Sequence, residues 1–281
     1  MGAKVVSDRY GKTRVRMVKV SRHGEHHELR DITAHIALEG EFVRSYTEAD
    51  NSIVLPTDTM KNTVYALGKD HPLDTIESFA LHLGRHFVGT VPHVAAATVR
   101  IEQTGWGRIE VGGKAHPHSF VRQSSEKPMC EVVVRRDGAS VESGIDDLVI
   151  LKTTDSAFSG FLRDAYTTLK ETNDRIMGTS VTARWTYAAG DVDFARQRDL
   201  VRTALLECFA NHKSESVQHT LYAMGEAALA AAGSMRRLRL TMPNRHCLLV
   251  DLSPFGMTNH NEIFLPIDEP SGLIEATMER A

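Results

Sequence analysis

Charged and apolar residues alternate through Arg14–Val20 (RVRMVKV) and again through Leu29–Leu38, the period of half-buried strands. The Ser21–Glu28 segment between them is expected to be a His-rich loop. Ile53-Val54-Leu55 is a short apolar run that reads as a buried strand ending on Pro56-Thr57-Asp58. Because Asp and Thr are good N-caps, the same stretch also reads as a turn feeding a helix. Pro72–Val88 sets Leu73, Ile76, Ala80, Leu83 and Phe87 on one helical face, with Pro72 suited to the first turn. Strand-like segments follow at Val94–Glu102, Ser119–Arg122 and Glu131–Arg135, separated by hinges that include GWG and VGGK.

The pattern then recurs. Leu148–Asp155 is again an apolar run ending on Thr-Asp, and Ser180–Tyr187 (SVTARWTY) is again strand-like. An amphipathic helix is expected from about Asp193 to His212, with Leu200, Val201, Leu205, Cys208 and Phe209 inward. A second runs from near Ser216 to Ala232, with Val217, Leu221, Met224 and Ala228 on one face. Alternating segments at Met235–Met242 and His246–Leu252 close the chain. Two degenerate copies of a strand-strand-helix-helix unit, 1–138 and 139–281, are the expected organisation, and the class is α+β. A parallel dinucleotide-binding sheet is disfavoured, because no GxGxxG follows an early strand.

Composition narrows the function classes. The 281 residues are 42% hydrophobic and 25% charged, the balance of a globular protein with a sizeable core. A net charge of -3 gives no electrostatic case for nucleic acid. No apolar run is long enough to cross a bilayer, and no signal peptide is evident. Cys130, Cys208 and Cys247 are widely spaced and form no CxxC, so a reducing cytoplasm is the simplest expectation.

Several residues could carry chemistry, each with an ordinary alternative. His23, His26 and His27 could hold a metal, though a solvated loop is commoner for such a cluster. His82 and His86, four apart on a helix, lack an HExxH and read as surface or partner-facing. Asn244 and His246, two apart on an extended segment, share a face and suit proton transfer, or Pro243-Asn244 is merely a turn. Arg175 offers a guanidinium fork to a planar anion, or pairs with Asp174 or Glu171. Val217 and Gln218 open a helix, where backbone N–H groups favour an anion. Phe158 could stack on a flat heterocycle while Phe161 fills the core, or both could be core residues. Lys12, ahead of the first strand, could be tuned into a base or simply be solvated.

In combination these residues resemble one family, the urate oxidases or uricases. The resemblance is carried in order by Tyr10-Gly11-Lys12, Thr57-Asp58-Thr59-Met60-Lys61-Asn62-Thr63-Val64-Tyr65, Phe158-Ser159-Gly160-Phe161-Leu162-Arg163-Asp164, Tyr166-Thr167-Thr168-Leu169, Asp174-Arg175, Ser216-Val217-Gln218, Pro243-Asn244-Arg245-His246 and Gly272-Leu273-Ile274. Pro56 ahead of the Thr-Asp is a departure, as is the chain's end on Glu279-Arg280-Ala281 without a peroxisomal tail.

The resemblance implies the tunnelling fold, two tandem units of antiparallel sheet and helices, four subunits forming a β-barrel tunnel. It implies oxidation of urate by dioxygen to 5-hydroxyisourate and hydrogen peroxide, without metal or flavin. Arg175 and Gln218 would clamp urate, Phe158 would stack on it, and Leu169 and Ile274 would wall it. Val217 and Asp58 would contribute backbone contacts. Lys12, Thr57 and His246 would form a proton relay, with Asn244 and Thr57 holding dioxygen, peroxide or water. Lys12, Thr57 and Asp58 would come from one subunit and the rest from its neighbour. A zinc-dependent pterin-forming or GTP-hydrolysing relative fits less well, because the cysteines lack ligand spacing. A protein that only binds purines is the alternative of another class, against which stand Lys12, Thr57 and His246.

Overall fold

The alternation at Arg14–Val20 folds into β1 (Tyr10–His23), which pairs antiparallel with β2 (His26–Gly40) through a tight turn at Gly24-Glu25. These features belong to a computed structural model that describes residues 3–188 and 190–280. The expected His-rich loop is thus only a two-residue turn. Gly24 takes φ 64°, and His26 and His27 lie in the ladder itself. The chain forms two compact units, one through Gly144 and one from Ile145.

In unit 1, the short helix α1 (Val43–Thr47) follows β2, then α2 (Thr57–Asp70) and α3 (Ile76–Thr90). β3 (Val94–Thr104) pairs with β2. A separate hairpin of β4 (Trp106–Val111) and β5 (Lys114–Arg122) turns at Gly112-Gly113, both at positive φ. β6 (Lys127–Arg135) then pairs with β3. β7 (Gly138–Lys152) runs through the boundary between the units. Inward residues of the strands, such as Ile32, Ile36, Val99 and Val132, form one core with Phe79, Leu83 and Phe87 of α3. Thr75 caps α3, its Oγ1 accepting from the Ser78 amide at 3.2 Å. Pro72 therefore stands outside the helix, and Leu73 sits at φ 61° in the approach to it.

The Ile53–Asp58 stretch corrects the strand reading. Asn51–Ile53 is a single 3-10 turn, Pro56 is extended at ψ 137°, and Thr57 is the first residue of α2. The turn feeding a helix is the version that forms. Met60, Val64 and Gly68, spaced by four, make its buried face. Gly68 permits that contact, because a Cβ there would stand 2.6 Å from Met17 Sδ. The apparent repeat of Thr-Asp consequently joins unlike places: Thr57-Asp58 starts a helix, whereas Thr154-Asp155 follows the end of β7.

Unit 2 contains β8 (Met177–Tyr187), α4 (Phe194–Asn211), α5 (Val217–Ala231), β9 (Met235–Thr241), β10 (Asn244–Leu249), β11 (Phe264–Ile267) and β12 (Glu275–Glu279). β8 pairs with β9 over most of its length and with β10 at its start. β12 pairs with β9, and β11 with β10, all antiparallel. Val201, Leu205 and Phe209 of α4 meet Leu221, Met224 and Ala228 of α5 over Val181, Ala183 and Trp185 of β8.

Leu83 is fully buried between α3 and its sheet. Leu83→Ala is expected to lower the unfolding free energy by about 2–5 kcal/mol in urea titration. A loss below about 1 kcal/mol would show that the helix does not bury this side chain as described.

Candidate functional site

The site begins with two backbone bonds. Beyond β7 the chain is irregular, yet Phe158 exchanges both amide bonds with Thr172, at 2.8 and 3.0 Å. The Ala157 amide also donates to the Ser214 carbonyl at 2.7 Å, which ties this segment to the approach to α5. Asp174 completes the brace: its carboxylate accepts from Thr154 Oγ1 at 2.8 Å and from the Ser156 amide at 3.3 Å. Those bonds, the Thr154 hydroxyl foremost, hold the Asp174 carboxyl below its ordinary pKa.

Arg175 follows immediately and finds no such partner. Asp174 is committed to Thr154 and Ser156, and Glu171 stands 3.5 Å from Arg163. The expected surface pairing with Asp174 or Glu171 does not form. Arg175 Nε is buried with no hydrogen-bond partner. Burial pulls the guanidinium pKa below its ordinary value, though an arginine of this kind stays charged. Its guanidinium carbon sits 5.3 Å from the centre of the Phe158 ring.

Arg175 and Phe158 line a cavity of about 300 Å³ within unit 2. Leu169, Val217, Gln218, Asn244, His246 and Ile274 line it too. Each arrives by a different route. Ser216 caps α5, accepting from the His219 amide at 3.1 Å, so Val217 and Gln218 occupy the first turn, where N–H groups have no partner within the helix. The Val217 side chain is buried in the core, so its backbone is what it can offer a ligand. Asn244 and His246 sit two apart on β10 and both reach the cavity. The amides of Met242 and Asn244 donate to the carbonyls of Ile274 and Gly272 at 2.7 and 2.9 Å, which sets Ile274 beside Asn244.

Neither Phe158 nor Phe161 enters the core, contrary to the ordinary expectation. Both are half-buried, and their rings stack on each other. Lys170, Thr172, Ile176, Cys247 and Leu248 also line the cavity and carry no signal in the sequence pattern. Thr172, for one, acts through its backbone.

Lys12, Thr57 and Asp58 belong to unit 1 and form a second group. Lys12 lies within β1, just before a bulge between Lys12 and Val15, where Arg14 takes φ 58°. Gly11 must be glycine, since a Cβ there would fall 1.9 Å from the Ile36 carbonyl oxygen. The hydroxyl of Tyr10 accepts from the Leu55 amide at 3.0 Å, which fastens the approach to α2 onto β1. Thr57 is half-buried at the first position of α2, and Asp58 is exposed. Asp58 bonds Lys61 and Asn62; Lys61 first, then Asn62 and the charge of Lys12, hold its carboxyl pKa low. Among the described residues no three His, Cys, Asp or Glu side chains are grouped to hold a metal ion, the histidines at 23, 26 and 27 included.

Comparisons with known proteins identify the family. The uricase family model matches residues 8–133 and 141–275. The uricase of Arthrobacter globiformis is 42% identical over 281 residues, covering 99% of this chain and 91% of the relative. The uricase of Dictyostelium discoideum is 38% identical, covering 99% and 98%. The crystal structure of the Arthrobacter globiformis uricase superposes with a TM-score of 0.94 at 41% identity, covering 100% of this chain and 96% of that one. The chain belongs to the uricase family.

Proposed function

We propose that this chain is a urate oxidase that transfers electrons from urate directly to dioxygen. The observation that carries the reading is Arg175, a desolvated cation without a hydrogen-bond partner at Nε, in a cavity it shares with Phe158 and Gln218. A flat anion answers both needs of that cavity. Its oxygens or ring nitrogens accept from the guanidinium fork, and its plane lies on an aromatic face. Urate is such an anion, and family membership supports it independently of the geometry.

In the proposed reaction Arg175 and Gln218 grip opposite edges of urate, Phe158 stacks on its plane, and Leu169 and Ile274 wall it. Val217 and Asp58 supply backbone contacts, consistent with a Val217 side chain in the core and an Asp58 carboxylate occupied by Lys61 and Asn62. Removing a further proton makes urate a reductant strong enough for dioxygen. Two electrons and two protons pass to dioxygen, giving hydrogen peroxide. A water then adds as hydroxide to the oxidised ring, giving 5-hydroxyisourate. The protein supplies proton transfer and alignment of the reactants, which needs no metal or flavin. Lys12, Thr57 and His246 form the relay, and Asn244 with Thr57 holds dioxygen, peroxide or water.

Lys12, Thr57 and Asp58 lie on unit 1, while the cavity's lining lies on unit 2. We infer that a neighbouring subunit supplies the first group in a homotetramer whose sheets form a tunnel, and that the enzyme serves purine breakdown in the cytoplasm.

The direct test is ultraviolet absorbance. Urate with protein and oxygen should lose its band while peroxide appears, at the same rate with and without chelator. A persistent band with urate bound would leave only a purine-binding protein. Thr57→Ala is expected to lower kcat by about 10²–10⁴-fold with little change in urate affinity. Arg175→Ala should instead weaken urate binding by about 10–100-fold, the scale of a lost charge-assisted bond. Loss of kcat and affinity in equal measure in both variants would contradict separate roles. Shared sites make a further prediction: Lys12→Ala and Arg175→Ala, each poorly active alone, should regain activity when dissociated, mixed and reassembled. No regain in mixed tetramers would place each complete site within one subunit.

A further inference from the structure

Phe158 has a neighbour that the proposed reaction does not use. The Phe161 ring lies nearly parallel to it, with centroids 4.9 Å apart and planes inclined by 14°. The Arg163 guanidinium carbon in turn sits 4.9 Å from the centre of the Phe161 ring. Arg163 thus contacts Phe161 and Phe161 contacts Phe158, whose ring centre also lies 5.3 Å from the Arg175 guanidinium carbon. Neither ring joins the core of unit 2, so core packing does not account for the arrangement.

Local structure builds these contacts. Gly160 takes φ 68°, a conformation that suits glycine, and the chain bends there between the two rings. Arg163 then reaches the segment that carries Leu169: Nη1 donates to the Leu169 carbonyl at 3.4 Å, and Nη2 stands 3.5 Å from Glu171. Leu169 lines the cavity. One arginine therefore touches both the ring behind Phe158 and the segment carrying the wall. This matters because the terminal torsion of a phenylalanine is broad, so its own rotamer preferences fix the ring plane only weakly. A stacked neighbour restricts that plane.

We propose that Phe161 and Arg163 are positioning residues for urate. Phe161 backs Phe158 and sets the plane on which the purine rests, and Arg163 holds that backing at a constant distance from the Leu169 wall. The proposal rests on the urate reading above, and its test separates the two. Urate KM and kcat are measured for Phe161→Leu, Phe161→Ala, Phe161→Tyr and Arg163→Ala, with urate Kd determined in oxygen-free buffer. Phe161→Leu keeps an apolar side chain, somewhat smaller, and removes the flat face. It should raise KM and Kd by about two- to tenfold, the worth of one aromatic stack, with KM rising more than kcat falls. Phe161→Tyr should restore wild-type values, and Arg163→Ala should shift Kd in the same direction as Phe161→Leu. A wild-type Kd in Phe161→Leu, or a Tyr variant as weak as the Leu variant, overturns the proposal. If Phe161→Ala does not fold, judged by sizing and thermal melting, the Leu and Tyr pair decides. Wild-type protein that neither binds nor oxidises urate sinks the urate reading itself, whatever the variants do.

Discussion

A guanidinium that has lost water and gained no carboxylate is an unstable situation that a protein maintains only for a reason. Removing one partner of a buried ion pair commonly costs about 3–5 kcal/mol, because the remaining charge is uncompensated. Arg175 is only partly buried, so its penalty is smaller, but the sign is the same. The surrounding sequence does not lack acids: Asp174 and Glu171 are close along the chain, and both are turned to other work. Asp174 braces the loop that carries Phe158, and Glu171 faces Arg163. The local structure thus spends its nearby carboxylates on geometry and leaves the cation to the cavity. The proposed anionic ligand completes that charge balance.

The same economy explains why irregular backbone carries so much of the site. Phe158 and Leu169 lie outside regular strands and helices, and Arg175 just precedes β8. Loops are positioned by whatever their amides can reach. Here the paired amides of Phe158 and Thr172 act as a one-residue ladder, and the Ala157–Ser214 bond fixes it to the start of α5. The helices and sheet supply the fixed frame: α5 presents its first turn, and β10 presents Asn244 and His246. A cavity framed this way can be narrow in one dimension without a continuous strand along its wall.

Legibility in the sequence followed the same division. Where one face is buried against a core, periodicity reveals the element: α4 and α5 fall within a residue or two of expectation, and Ile76, Ala80, Leu83 and Phe87 do form the buried face of α3. Ile53–Leu55 misled because three apolar residues fit a strand or a loop equally well, and because the true helix presents Met60, Val64 and Gly68, a face whose last member shows no hydrophobicity. The short strands β11 and β12 and the hairpin strand β4 carry no legible periodicity, being brief or largely exposed. Periodicity alone left the site residues ambiguous, since Arg175 or Phe158 looks ordinary beside its neighbours. Their joint occurrence in family motifs singled them out, and no motif carries the backbone role of Thr172.

The two groups of reactive residues differ in how they are held, and this bears on how the proposed enzyme divides its labour. Arg175, Phe158, Gln218 and the cavity's other lining residues belong to unit 2, so the proposed grip on a flat anion would be built there. Within unit 1 the Tyr10 hydroxyl holds the Leu55 amide ahead of Thr57, and Gly11, next to Lys12, lets β1 approach the Ile36 carbonyl closely. The contacts described for each arrangement lie within its own unit. Under the proposed function, substrate binding then belongs to one unit and most of the proton machinery to the other, and assembly joins the two halves. A site joined in this way is sensitive to the register between its halves. General-base catalysis demands hydrogen-bond reach, so a displacement of about 1 Å between them is enough to cost turnover while binding persists.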